Sequence, residues 1–219
     1  MTLALLLSVT LPCIAAQEKT SPHPTLFLEK GELVYSDHFK GKLDSNVWEA
    51  RQQTQWTIKG EQLVGSPSPK AYQQEMIEKG QPGYSGDHPV ARLNGVPQEF
   101  ICHMRLRYEG NDYTRIRPLL DVGHHKNSFL FSAKNTRMAV DKDKQIMDRP
   151  YPMLPLNTWV YVTIEFKQGR MALKMNDHLE VYESQLITMA GQREFTFKGI
   201  PGGRIVIDYV RLWEVDSTN

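Results

Sequence analysis

The sequence is poor in cysteine, in helical periodicity and in long apolar runs, and each shortage excludes a class of protein. It has 2 cysteines, Cys13 and Cys102, in 219 residues. Neither a disulfide framework nor a cysteine-based zinc site is therefore expected. Lys and Arg number 26 and Asp and Glu number 25, a net charge of +1. This balance, without a basic block interleaved with aromatics, argues against nucleic acid as a partner.

An apolar run that is too short for an ordinary transmembrane helix occupies the N-terminus. Residues 3–16 read LALLLSVTLPCIAA and end in small side chains. We expect a signal peptide over residues 1–16, cleaved near Ala15 or Ala16, and export to a bacterial periplasm or to the medium. A lipidated Cys13 and a buried N-terminal helix are the alternatives. Residues 17–30 are predicted to be a flexible leader, and residues 31–216 a single domain.

A strict alternation of apolar and polar side chains predicts a central strand near the middle of the chain. The apolar row is Phe100, Cys102, Met104, Leu106 and Tyr108. The other row continues as His103, Arg105 and Arg107. Because side chains alternate between the faces of a strand, the first row should enter a core and the second should form a cationic line outside it.

The rest of the chain repeats this pattern in short segments divided by turn residues. Residues 158–167 alternate again, with Val160, Val162, Ile164 and Phe166 on one side. Lys59-Gly60-Glu61 is predicted to be a tight hairpin turn between two strands. Many short strands with almost no helical periodicity indicate an all-β sandwich of two antiparallel sheets.

Two segments carry a resemblance to a known family. His38 to Asp44, followed by Trp48 and by Trp56 to Ser66, resemble the start of a 3-keto-disaccharide hydrolase domain, and residues 207–214, IDYVRLWE, resemble its last strand. The resemblance implies a concanavalin A-like jelly roll and cleavage of 3-keto-glycosides. Arg105 stands where that family often has a glutamate. The Glu-x-Asp-x-Glu motif of family 16 glycoside hydrolases, which share the jelly roll, is absent.

The candidate site residues are acids, histidines, arginines and aromatics that could lie on a concave sheet face. Those predicted to be catalytic are Glu165, Asp121 and His125, because carboxylate and imidazole groups carry acid–base chemistry. Those predicted to bind substrate are His103, Arg105, Arg107, His124, Trp159 and Tyr161, because sugars are held by aromatic rings and by charged hydrogen-bonding groups.

Two function classes remain open from these residues. One is a glycoside hydrolase or lyase acting on a modified glycoside, and the other is a non-catalytic carbohydrate-binding or adhesive module. No cofactor and no metal are predicted. Asp141-Lys142-Asp143 could ligate calcium, but a charged turn is the simpler interpretation. His124 and His125 are adjacent, so in an extended backbone they would point to opposite sides and would rarely share one metal.

Overall fold

The computed structural model describes residues 25–113, 117–150, 154–189 and 191–215. The predicted signal peptide, residues 17–24 of the predicted leader and Cys13 lie outside these ranges. The strands are β1 (Lys30–Asp37), β2 (Trp48–Ala50), β3 (Gln55–Ile58), β4 (Leu63–Ser66), β5 (Val90–Asn94), β6 (Phe100–Glu109), β7 (Leu119–Val122), β8 (Asn127–Phe131), β9 (Thr136–Val140), β10 (Gln145–Arg149), β11 (Val160–Lys167), β12 (Arg170–Met175), β13 (His178–Glu183), β14 (Glu194–Lys198) and β15 (Arg204–Val215). The helices are α1 (Lys70–Glu78) and a 3-10 turn (Pro82–Tyr84).

The strands form two antiparallel sheets that enclose one core, which confirms the predicted all-β sandwich. The first sheet has the order β13-β12-β11-β6-β15-β4-β3. β4 pairs with the first part of β15, and β1 pairs with the later part of the same strand. The second sheet has the order β10-β9-β8-β7-β14-β5-β2. Within the described ranges, no helix is long and apolar enough to cross a lipid bilayer.

The alternating strand β6 lies in the middle of the first sheet, as its long apolar row predicts. Its five apolar side chains from Phe100 to Tyr108 are all completely buried. β11 pairs with β6 so that Val162 lies opposite Met104 and Ile164 opposite Cys102. Each large apolar side chain buried in this way stabilises the fold by roughly 1.5–3 kcal/mol. The two predicted apolar rows therefore form one side of the core.

The predicted hairpin turn is present between β3 and β4. The backbone N–H groups of Lys59 and Gln62 each donate to the other residue's carbonyl, at 2.9 and 3.2 Å. Gly60 and Glu61 between them both have φ of 57°. Two successive residues with positive φ give the turn that matches the twist of paired strands, and the glycine adopts this conformation without a steric penalty.

Two strands and one helix were not predicted. β5 follows the loop residues near Pro89, and its short sequence carries no clear alternation. β10 is an edge strand with one neighbour and buries neither face fully, so its sequence carries little apolar signal. The sequence of α1 carries no continuous apolar stripe, since only Gln73 and Met76 of the helix are buried.

Candidate functional site

The predicted site residues lie on two opposite outer faces of the sandwich. His103, Arg105, Arg107, Tyr161 and Glu165 alternate with core residues of β6 and β11, so they lie on the outer face of the first sheet. Trp159, just before β11, contacts this face through both arginines. Asp121 lies between the core residues Leu120 and Val122 of β7, so it lies on the outer face of the second sheet. His124 and His125 follow in the β7–β8 turn. The structure therefore does not bring Glu165 together with Asp121 and His125.

Glu165 is completely buried beneath residues 25–29, so the prediction of a catalytic role needs correction. Its Oε1 accepts a hydrogen bond from the backbone N–H of Leu26 at 2.5 Å. Its Oε2 accepts from the N–H groups of Phe27 and Leu28 at 2.8 and 2.9 Å. The carboxylate thus anchors the described end of the predicted leader to the first sheet. The packed part of the chain begins before residue 31, since Leu28 is itself buried.

The predicted binding row on β6 is divided into a covered half and an accessible half. His103 is buried and packs against Trp213 with ring centroids 5.0 Å apart. Arg105 and Arg107 keep 30% and 27% of their side-chain surface. Both already form ion pairs, Arg105 with Asp208 at 2.9 Å and Arg107 with Glu109 at 2.5 Å. His103 is therefore unable to contact a ligand, whereas the two arginines can.

An arginine–aromatic cluster, made of Arg105, Arg107, Trp159, Tyr161 and Asp208, occupies the accessible half. The Cζ atoms of Arg105 and Arg107 both lie 4.5 Å from the Trp159 ring centroid, and that of Arg105 lies 5.5 Å from Tyr161. Arg105 Nη1 donates to Asp208 Oδ2 at 2.9 Å. The cluster offers an indole ring and a phenol ring beside fixed hydrogen-bond donors.

A second group, the carboxylate–histidine cluster, consists of Asp121, Glu194, His124, His125 and Arg92 on the second sheet. His124 Nδ1 lies 2.9 Å from Glu194 Oε1, and His125 Nδ1 lies 3.8 Å from Asp121 Oδ2. Arg92 Nε lies 3.2 Å from the same Glu194 oxygen, and its Nη2 lies 3.1 Å from His124 Nδ1. β14 lies between β7 and β5, which is why Glu194 reaches both partners.

The turn that carries the two histidines is held by the buried carboxylate below it. Asp121 Oδ2 accepts from the backbone N–H of His125 at 2.7 Å, and Oδ1 accepts from Ser128 Oγ at 2.7 Å. Gly123, His124 and His125 all have positive φ, at 78°, 51° and 66°. This backbone is unfavourable for a histidine and is maintained where the surroundings demand it. It also explains why the two adjacent rings share one side, with centroids 4.8 Å apart.

The charges of this cluster are divided between buried acids and exposed bases. The side chains of Asp121 and Glu194 are 2% and 4% exposed, whereas those of His125 and His124 are 64% and 41% exposed. Burial raises the pKa of Asp121, and the negative charge of Glu194 adds to this, while the hydrogen bonds from Ser128 and His125 oppose it. Each exposed imidazole thus rests on a buried carboxylate and can exchange a proton with a bound molecule.

A cavity of about 170 Å³ adjoins His125 and is lined also by Ser128, Lys142 and Asp143. It is large enough for a few atoms of a ligand beside the His125 ring. Asp141 of the same turn region forms ion pairs with Lys126 and Lys144 at 2.5 and 2.6 Å, which lower its pKa to about 2. Over the described ranges, no group of three or more His, Cys, Asp or Glu side chains is placed to hold a metal ion.

Two members of the cluster were missed by the sequence reasoning. Arg92 lies on β5, which was not predicted to be a strand. Glu194 begins β14, in which it alternates with Phe195 and Phe197, both fully buried. That alternation places Glu194, Thr196 and Lys198 on one outer face, and it was the available signal. The neighbours of β14 in the sheet are distant in sequence, so the partners of Glu194 could not be deduced.

Comparison with known proteins gives matches among solved structures alone. No protein-family model matches the chain, and no curated protein matches it. An endo-β-galactosidase from Clostridium perfringens that releases GlcNAcα1-4Gal is similar with a TM-score of 0.59 and 11% identity. The match covers 87% of this chain and 65% of that enzyme, so the chain spans about two thirds of its length.

Two further solved structures illustrate the range of these similarities. The catalytic domain of an endo-1,3-β-glucanase, a laminarinase from Thermotoga petrophila, has a TM-score of 0.56 and 11% identity, with 86% of this chain and 100% of that one covered. Carbohydrate-binding module CBM66 from Bacillus subtilis has a TM-score of 0.51 and 11% identity, with 76% and 95% covered. At these identities the likeness establishes the fold, a concanavalin A-like jelly-roll sandwich, as predicted.

Proposed function

We propose that the chain is a carbohydrate-active enzyme domain whose acid–base chemistry is carried by His124 and His125. The observation that carries the proposal is the pair of exposed imidazoles, 4.8 Å apart, each resting on a buried carboxylate. Glycoside-cleaving enzymes with the same fold, the endo-β-galactosidase and the laminarinase, support a glycan as the substrate. His125 keeps its predicted catalytic role in this proposal, and Asp121 becomes the residue that positions it. His124 moves from substrate binding to acid catalysis, and Glu165 is left out.

The burial of the carboxylates decides which kind of cleavage this cluster favours. Ordinary glycoside hydrolysis needs two carboxyl groups that flank the scissile bond and touch the substrate. Asp121 and Glu194 are too deeply buried to do so. Imidazoles are suited instead to removing a proton from carbon, provided that the C–H bond is acidic. A ketone at C3 makes the C2–H bond of a glycoside acidic, which agrees with the substrate class that the sequence resemblance implies.

The proposed reaction is an elimination followed by hydration. The His125 imidazole removes the C2 proton of a 3-keto-glycoside, and the electron pair forms a C1=C2 double bond as the C1–O glycosidic bond breaks. The departing oxygen takes a proton from the protonated His124. Water then adds across the double bond, with its oxygen on C1 and a proton on C2, which completes a net hydrolysis. Asp121 holds His125 in position, and Glu194 does the same for His124.

A second candidate function is glycan binding without catalysis, and it is favoured by the arginine–aromatic cluster on the opposite face. Trp159 packs against two arginines, and Tyr161 is 38% exposed. Aromatic faces and arginine donors are the groups that hold sugar rings and hydroxyls in binding sites. The similarity to a carbohydrate-binding module supports this alternative.

One experiment separates the two candidates. Binding and turnover are measured on the same samples with a panel of glycosides and 3-keto-glycosides. The variants are His125→Asn, in which asparagine tolerates the positive φ, and Arg105→Gln on the opposite face as the matched control. We expect His125→Asn to lower turnover of 3-keto-glycosides by about 100-fold or more, with turnover by Arg105→Gln unchanged.

Other outcomes assign the function differently. Binding across the panel with no turnover, abolished by Arg105→Gln, would contradict the enzyme proposal and favour the binding module. Turnover confined to unmodified glycosides would exclude the 3-keto substrate class. A thermal melt of each variant controls for loss of folded protein.

A further inference from the structure

An open cavity of about 840 Å³ lies at the end of the second sheet away from the histidines. It is bordered by Asp112, Tyr113 and Arg117, by the β8–β9 turn and by the end of β10, whereas the histidines lie in the β7–β8 turn at the other end of the same strands. β8 and β9 have five residues each. At about 3.3 Å per residue, the two ends are roughly 15 Å apart. A ligand in this cavity is therefore separate from the carboxylate–histidine cluster.

Two buried hydrogen-bonding atoms of the cavity lining lack a partner. Arg117 Nη1 and Tyr113 Oη are inaccessible to solvent, and no atom in the described part of the chain forms a hydrogen bond with either. A buried polar atom left in this state costs free energy, so each such case calls for an explanation. Burial raises the pKa of Tyr113 to about 12, which keeps its hydroxyl proton available for donation. Both side chains line the cavity, so a side-chain rotation would bring either donor to an acceptor within it.

Several other charges of the lining are already compensated. Asp148 accepts from Arg137 Nε at 3.0 Å and Nη2 at 3.2 Å, and these hydrogen bonds, together with the charges of Arg137 and Arg117, lower the pKa of its carboxyl group. Arg149 Nε lies 3.4 Å from Glu180 Oε2. These two pairs contribute little net charge to the cavity.

The remaining charges give the cavity a cationic surplus. Arg117 and Lys134 line it, and neither forms an ion pair with any residue that the structure describes. Asp112 is the one acid of the described lining left to oppose them once Asp148 is paired. Asp112, Arg117 and Lys134 together leave one positive charge. The surplus, together with the donors on Arg117 and Tyr113, favours an anionic ligand with several acceptor oxygens.

We propose that this cavity binds the carboxylate of an acidic sugar, with Arg117 and Lys134 on the carboxylate and Tyr113 on a neighbouring oxygen. The planar guanidinium matches a carboxylate with two parallel hydrogen bonds. The volume is in the range of small-ligand sites and admits one or two sugar rings. The charge and donors of the lining support a carboxylate on the ligand, whereas the assignment of the rest of the ligand as a sugar rests on the proposed carbohydrate function.

Isothermal titration of the full chain with D-glucuronate, D-glucose and acetate tests this assignment. We expect glucuronate to bind more tightly than either of the others, and to bind more weakly as salt is added. Arg117→Gln should weaken glucuronate binding by about 10-fold or more, and Tyr113→Phe by a smaller factor. The matched control is Lys144→Gln in the β9–β10 turn at the other end, which should change the affinity less than about 2-fold.

Three results would overturn the proposal, and each is distinguishable from a result that contradicts the proposed catalytic function. Equal affinity for glucose and glucuronate would exclude recognition of the carboxylate. Acetate binding as tightly as glucuronate would exclude recognition of the sugar. Unchanged glucuronate affinity in a folded Arg117→Gln variant, and in Arg117→Lys, would exclude this cavity. His125→Asn should leave glucuronate binding intact, so loss of turnover and loss of binding report on separate sites.

Discussion

Removal of the Glu165 carboxylate should release residues 25–29 from the first sheet. Three backbone N–H groups donate to its oxygens at 2.5–2.9 Å. Hydrogen bonds to a charged group are worth about 1.5–3 kcal/mol each, so a rigid structure would lose roughly 5–9 kcal/mol if all three failed. The actual loss should be smaller, because residues 25–29 can detach from the sheet and expose their N–H groups to water.

Detachment limits the loss to what the packed segment contributes. It forfeits the hydrogen bonds at a net value of about 1 kcal/mol each and the burial of Leu28 at about 1.5–3 kcal/mol. It also regains part of the backbone entropy of the freed residues, which offsets part of this loss. We expect Glu165→Ala to lower the free energy of unfolding by roughly 2–4 kcal/mol, which corresponds to a fall in Tm of roughly 5–15 °C. Glu165→Gln keeps one acceptor oxygen and should lose less.

Chemical denaturation and amide hydrogen exchange measure the two parts of this prediction. The amides of Leu26, Phe27 and Leu28 should exchange faster in the Glu165 variants than in the parent chain. Glu75→Gln on α1 is the control, because it removes a carboxylate from a well-exposed ion pair, that with Lys79; it should change stability by less than about 0.5 kcal/mol. Unchanged stability and unchanged exchange in Glu165→Ala would refute the anchoring role. Loss of turnover without loss of stability would restore a catalytic one.

Three further perturbations test the packing and the buried charges. Met104→Ala should cost about 2–5 kcal/mol, whereas Arg107→Ala should cost less than about 1 kcal/mol, because its partner Glu109 also pairs with Arg204; equal losses in Tm would contradict this. The folded state binds the Asp121 proton more tightly than the unfolded state, so stability should fall as pH rises from about 4 to the raised pKa. Asp121→Asn should flatten that dependence in urea titrations, and an identical pH profile would count against it. Burial raises the pKa of the Cys102 thiol, so its alkylation should require unfolding. Mass spectrometry of the labelled peptide measures this, and rapid labelling of the native protein would contradict it.

Much of the fold could be predicted because the alternation within a single segment identifies its core-facing side chains. β6 and β11 bury one face completely, and that alternation needs no knowledge of their neighbours. Edge strands carry a weaker signal, which is why β10 was not predicted. The concanavalin A-like fold followed from the resemblance of the chain's two ends to a known family.

The site was harder to predict because its contacts join segments that are distant in sequence. The alternation placed Glu165 on an outer face, but it could not show that residues 25–29 fold over that face from 137 or more positions away. Asp121 and His125 were recognised because Asp121 stands three residues before the histidine pair, at the end of a strand. Glu194 was not, since it meets His124 across the β7–β14 pairing.

The most direct test of the proposed chemistry is deuterium uptake at C2 of a 3-keto-glycoside in D₂O, followed by NMR. Removal of that proton by His125 predicts that the parent chain incorporates solvent deuterium at C2 of the product. The rate should exceed the uncatalysed rate, and His125→Asn should abolish the excess while Arg105→Gln preserves it. Cleavage of the glycoside with no enzyme-dependent deuterium at C2, or with uptake unaffected by His125→Asn, would contradict the proposal.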